Sequence, residues 1–187
     1  DTIGASAWLV ETGGHRILLD AGTCPGVEGR AGLPLYSQVA EQDVDAIAIS
    51  HCHQDHCGSL PVALRHFPQA RVLMTEPSYF LIERVLHNSV NVMKRQRTER
   101  NIPDYPLFHH NEVDEFSYLF QGFKYGKPEP WSPVRPGKAD EPAPTVSFHP
   151  AGHVLGSAGL RVAHGRESLF YTGDVCFHDQ TLSPKAD

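Results

Sequence analysis

Along this chain the apolar positions fall mostly in short runs or alternate, and helical spacing is confined to a few stretches. Residues 7–10 and 16–19 flank Gly13-Gly14, which predicts a β-hairpin entering a sheet. Asp20-Ala21-Gly22 follows, a carboxylate beside flexible backbone, and the Gly- and Pro-rich residues 22–34 read as loop. Residues 35–42 predict a short helix. The run Val44 to Ile49 is short and β-branched, so it predicts a buried strand. Leu60 to His66 predicts a helix that tolerates Pro61 in its first turn, and Arg71 to Thr75 another strand.

The longest helical pattern places Tyr79, Ile82, Leu86, Val90 and Met93 on one face, with Arg84, Lys94, Arg95 and Arg97 mostly on others. Those bases suit either a solvated face or contact with a phosphate backbone. Ile102 to His110 reads as loop. Asn111 is the expected N-cap of a helix running to about Phe120, with Glu112, Asp114 and Glu115 in its first turn. His109 and His110 follow no ligand pattern and read as surface residues. Six prolines between 128 and 144 exclude helix and central strand, leaving a long connection that Trp131 would pin to the body. Residues 145–149, 160–163 and 168–172 return to strand character, and the chain shows no internal repeat.

Candidate chemistry concentrates where the predicted strand 44–49 ends, at Ser50-His51-Cys52-His53-Gln54-Asp55-His56-Cys57-Gly58. His51 and His53 are two apart, so in extended backbone they point the same way and can share one metal ion. Asp55 and His56 come after a turn and reach towards a second. Imidazole with carboxylate suits zinc and also admits manganese or iron. The chain holds 12 histidines, so a lone one carries little weight, but a His-x-His-x-Asp-His array after a buried strand does. Two later apolar runs adjoin further polar groups, at Gly152-His153 and Gly173-Asp174, and each sets one candidate ligand beside a glycine.

Composition narrows the partners. The 187 residues suffice for one domain with a core, expected over 1–187 with 128–144 as an internal connection. A formal charge of −6 offers no broad basic face for nucleic acid. Divalent ions would offset Asp55 and Asp174 locally, so the charge argues only weakly against a polyanionic substrate. No run reaches the roughly 18 apolar residues of a membrane span, no signal peptide precedes Asp1, and no membrane partner is expected. Cys24, Cys52, Cys57 and Cys176 lack disulfide-scaffold spacing, which points to reduced thiols in the cytoplasm. Histidine and carboxylate already fill the metal pattern without a thiolate.

The order of these motifs resembles the metallo-β-lactamase superfamily: Asp20, then His51 to His56, then His153, then Asp174. Within it, Ala151-Gly152-His153-Val154-Leu155-Gly156-Ser157-Ala158 resembles the β-CASP RNA-processing nucleases, the group of the polyadenylation-factor endonuclease and its prokaryotic relatives. The resemblance implies an α/β fold, the αβ/βα sandwich. It implies His51, His53 and His153 on one zinc ion, Asp55 and His56 on a second, Asp174 bridging, and Asp20 fixing a ligand histidine. The family also has a later ligand histidine and an inserted β-CASP domain with a general-acid histidine. The chain therefore reads as a partial domain without them, and His178 lies too near Asp174 to replace the ligand. A missing strand would expose a sheet edge, favouring a homo-oligomer or aggregation.

The resemblance implies metal-dependent hydrolysis of RNA phosphodiesters, endonucleolytic with exonuclease action also allowed, with Asp55, His153 and Asp174 as catalytic residues. Asp55 would orient the hydroxide as well as bind metal. Two alternatives stand beside it: hydrolysis of another ester or lactam at the same site, and a non-catalytic RNA-processing scaffold.

Overall fold

Alternating apolar side chains close the first two strands, β1 (Trp8–Thr12) and β2 (His15–Leu19), into an antiparallel hairpin around Gly13-Gly14. The computed structural model describes residues 4–39, 44–132 and 142–186. Strands β3 (Ala46–Ala48), β4 (Arg71–Thr75) and β5 (Phe120–Phe123) join β2 in parallel, giving the order β1-β2-β3-β4-β5. A second, antiparallel sheet runs β6 (Glu129–Pro130), β7 (Thr145–Pro150), β8 (Ala158–His164), β9 (Glu167–Tyr171). Four helices, α1 (Gln54–Cys57), α2 (Leu60–His66), α3 (Glu76–Glu99) and α4 (His110–Phe116), complete the described elements.

The two-residue period of the strands builds two cores on opposite faces of the first sheet. Leu18, Ile47, Val72 and Met74 pack with Leu60, Leu64, Ile82, Leu86 and Val90 of the helices. Their neighbours Ile17, Leu19, Ala46, Ala48 and Leu73 pack with Val146, Phe148, Leu160 and Val162 of the second sheet. Alanines in β3 let the sheets approach. Trp131, inside the proline-rich connection, is fully buried in this inter-sheet layer. The layers run helices, sheet, sheet, an α/β arrangement.

Several local expectations change. Residues 35–39 form only a 3-10 turn at Tyr36–Gln38, and residues 40–42 lie outside the described part. Helix α4 begins one residue before Asn111, with His109 as its N-cap: the His109 N–H is capped by the Glu112 carboxylate three residues on. It stops at Phe116, and after a 3-10 turn Phe120 opens β5, pairing with Val72 and entering the helix-side core. Core packing there overrides helix propensity. A 3-10 turn also interrupts the predicted loop at Gly29–Gly32, and Tyr79 is largely exposed rather than on the buried face of α3. In the proline-rich connection, Glu129–Pro130 pairs at the sheet edge, where proline is tolerated, and residues 133–141 lie outside the described part.

The basic residues of α3 are exposed, and some are engaged: Arg97 donates to the Tyr105 carbonyl and Arg95 faces Glu99.

Candidate metal centre

Four strand ends bring polar groups to one rim of the sandwich. β2 ends at Asp20, β3 leads through Ile49 and Ser50 to His51 and His53, the β7–β8 turn carries His153, and β9 ends before Asp174. Helix α1 directly follows His53 and sets Asp55 and His56 on the same side. The β7–β8 turn depends on Gly152, whose φ is +71°. A Cβ there would stand 2.4 Å from the Cys176 carbonyl oxygen, so only glycine fits between the turn and the segment after Asp174. The Ser157 hydroxyl accepts from the backbone N–H groups of His153 and Val154 and closes the turn. Its other end is tied to the start of α3, where Thr75 and Ser78 hydroxyls both donate to the Gly156 carbonyl.

The side chains converge as two groups that share Asp174. His51, His53, His153 and Asp174 form one, and Asp55, His56 and Asp174 the other, with donor atoms within each group no more than 4.8 Å apart. His153 Nε2 lies 3.2 Å from His53 Nδ1 and 3.4 Å from Asp174 Oδ2. His56 Nε2 lies 3.4 Å from the other Asp174 oxygen and 3.7 Å from Asp55 Oδ2. Tetrahedral zinc with bonds of about 2.0–2.1 Å sets its ligand atoms about 3.3–3.4 Å apart. The spacing of the two groups is close to that.

Protons are placed to leave an inner nitrogen free on His51 and on neutral His56. The Asp20 carboxylate is fully buried and accepts from Ser50 N–H and Ser50 Oγ, and from Tyr171 Oη at 2.8 Å. It also lies 2.7 Å from His56 Nδ1, which therefore carries its proton there and turns Nε2 towards Asp55 and Asp174. Ser50 Oγ has given its own hydrogen to Asp20, so it accepts from His51 Nδ1 at 3.1 Å. That leaves His51 Nε2 as a buried lone pair with no hydrogen-bond partner, the atom an ion would satisfy. Burial, and then the neighbouring His56, His53 and His153, push the His51 pKa down to about 2. Burial and His153 also lower His53. Burial opposes charge on His56, but the Asp20 hydrogen bond and the Asp20, Asp55 and Asp174 charges outweigh it and raise its pKa. Burial and then Asp20 raise the Tyr171 pKa, so its hydroxyl keeps the hydrogen it donates.

The thiols stand apart from this set. Cys52, Cys57 and Cys176 are free, Cys52 donates to the Ser78 carbonyl, and burial raises Cys52 to about 11 and Cys57 well above its ordinary value. Sequence reasoning missed Ser50 and Tyr171, whose hydroxyls orient Asp20. Only their adjacency to His51 and to Gly173-Asp174 hinted at it.

The profile of the metallo-beta-lactamase superfamily matches residues 1–185. Among curated proteins, the chain is 30% identical over 173 residues to Endoribonuclease YSH1 of Gibberella zeae, covering 92% of this chain and 19% of that one. It is 33% identical over 193 residues to Ribonuclease TTHA0252 of Thermus thermophilus, covering 99% and 39%. It is 28% identical over 186 residues to Transcription termination factor FttA of Methanocaldococcus jannaschii, covering 96% and 26%. The chain thus spans less than half the length of these relatives. Among solved structures, AidC, a dizinc quorum-quenching lactonase, superposes with a TM-score of 0.52 at 20% identity over 89% of this chain and 54% of that one. A protein of unknown function from Enterococcus faecalis superposes with a TM-score of 0.59 at 17% identity, covering 95% and 42%. At such identities these two likenesses show the fold.

Proposed function

Because the chain belongs to the metallo-beta-lactamase superfamily, we propose that its converging histidines and carboxylates hold two zinc ions and hydrolyse RNA phosphodiester bonds. The observation that carries this reading is the pair of donor groups sharing Asp174, one of them containing the orphaned His51 Nε2. His51, His53 and His153 would hold one ion, Asp55 and His56 the other, and Asp174 both. The RNA substrate is supported by the relatives named endoribonuclease and ribonuclease.

Two such cations, when bound, would lower the pKa of a bound water towards about 7 and offset charge developing on phosphorus. The residues supply the rest. Asp20, held by Ser50 and Tyr171, fixes the His56 ring so that Nε2 faces inward. Asp55, mostly buried at the start of α1, would hold a water proton and aim the attacking oxygen. His53 and Asp174 are solvent-accessible, so an extended polyanion would approach from that side. A proton for the leaving oxygen would come from the β-CASP domain of the longer protein. The free thiols of Cys52, Cys57 and Cys176 fit a reducing cytoplasm, and among the described residues no helix is long and apolar enough to cross a membrane.

Cleavage of end-labelled single-stranded RNA by the full protein tests this, with His153→Ala as control. Discrete products that vanish in the variant are expected, and their lengths separate internal from terminal cutting. A folded, zinc-loaded protein that leaves RNA intact but opens a lactone or thioester would transfer the site to another ester. One that cleaves nothing would make the chain a scaffold.

A further inference from the structure

A second cluster of metal-binding side chains lies outside this centre, between α3 and α4. Glu83 and His87 are four residues apart on α3, and His110 and Asp114 are four apart on α4, so each pair lines one helix face and the two faces meet. Glu83, His87 and Asp114 present donor atoms within 4.8 Å of one another. His87 Nε2 lies 3.2 Å from Asp114 Oδ1, close to the edge of a zinc tetrahedron, and 3.9 Å from Glu83 Oε1.

Hydrogen-bond polarity supplies an independent observation. His110 Nε2 faces the Asn91 amide oxygen at 3.1 Å and must donate to it. A neutral His110 then has a lone pair on Nδ1, and this atom lies 2.8 Å from His87 Nδ1. His87 Nδ1 must therefore be the donor. In a neutral His87 that leaves Nε2 without a hydrogen, facing two carboxylates. This is the state of a histidine that binds metal through one nitrogen and donates its other N–H to an acceptor that fixes the ring. The His110 ring stacks on His87, centroids 5.1 Å apart, and holds that orientation. A protonated His87 would instead donate its Nε2 hydrogen to Asp114 at 3.2 Å and leave Glu83 at 3.9 Å unbonded, whereas an ion at Nε2 would draw in both carboxylates.

We propose that Glu83, His87 and Asp114 bind a zinc ion that clips α4 to α3, with His110 and Asn91 orienting His87. An imidazole with two carboxylates selects zinc over magnesium or calcium, which prefer all-oxygen sites. The three ligands leave a position for water or for a fourth group. The site is separate from the Asp174-centred pair and does not depend on the proposed RNA hydrolysis.

The test measures zinc content of the full protein by mass spectrometry after dialysis against buffered free zinc. His51→Ala/His56→Ala protein removes a ligand from each donor group of the first centre and serves as background, so failure of the nuclease reading leaves this result unaffected. In that background the zinc assigned to α3 and α4 is expected to disappear with His87→Ala and with Asp114→Asn. Zinc should also raise the melting temperature of the background protein and not of these variants. Asp114 is exposed, so Asp114→Asn decides the matter if His87→Ala misfolds. Equal zinc content with and without these changes, and no zinc-dependent melting shift, would make the cluster a protonated His87 paired with acids and overturn the proposal.

Discussion

Asp20 adopts a left-handed φ of +62° while fully buried, a strained backbone for a residue with a side chain. What holds it there is the convergence of Ser50 N–H, Ser50 Oγ, His56 Nδ1 and Tyr171 Oη on one carboxylate. Asparagine tolerates the left-handed conformation, so Asp20→Asn keeps the backbone and changes the chemistry. The amide has one acceptor oxygen where the carboxylate has two, and it lacks the negative charge that fixes the His56 tautomer. Zinc affinity at the Asp55 and His56 position is expected to fall about 10- to 100-fold, the usual cost of losing such a partner. Competition with a graded series of chelators measures it. Unchanged affinity would separate Asp20 from the metal centre.

At the scale of elements, helix α4 shows how a local signal can be read two residues out of place, with the cap at His109 rather than Asn111. Acidic residues near its start were legible, but the cap is made by the one that stands three residues after His109 and returns to its N–H. Glu112 also pairs with Arg65 of α2. Burial alone would raise the Glu112 pKa, yet the Arg65 guanidinium and the His109 N–H bring it below its ordinary value. A carboxyl depressed in the folded state contributes stability above the unfolded pKa, about 4.3, and loses it as pH falls through the folded value. Glu112→Gln should therefore destabilise the protein at neutral pH, and the gap to wild type should close as the pH drops below about 4. Urea unfolding at several pH values checks this. A gap independent of pH would assign the effect to the helix cap's geometry alone.

For the molecule as a whole, the two sheets are held by a layer in which Trp131 is among the largest fully buried side chains. Its ring shares the inter-sheet cluster with Ala46 and Ala48 of β3 and meets His15 of β2 edge-on. Trp131→Ala would leave a cavity between the sheets and should cost about 3–5 kcal/mol. The urea midpoint should fall with little change in the denaturant slope. The metal centre would loosen with it, since its side chains come from both sheets: His51 follows β3 of the first, while His153 and Asp174 flank strands of the second. A variant that unfolds like wild type would show that the sheets associate without this ring.

Much was decided by local sequence. Strand runs were legible from their two-residue period and α3 from its three- and four-residue steps, and the types and order of the candidate ligands stand in plain view after those runs. All of these are short-range properties, set by backbone geometry within a few residues. The tertiary structure decided the rest. It placed Phe120 in a strand because the core needed it there, and put both oxygens of Asp174 between two donor groups. It set the tautomers of His51 and His56 through Ser50 and Asp20, and brought His87 beside His110 and Asp114. Those outcomes depend on which distant side chains meet and which nitrogen keeps its proton, and neither is determined until the chain has packed.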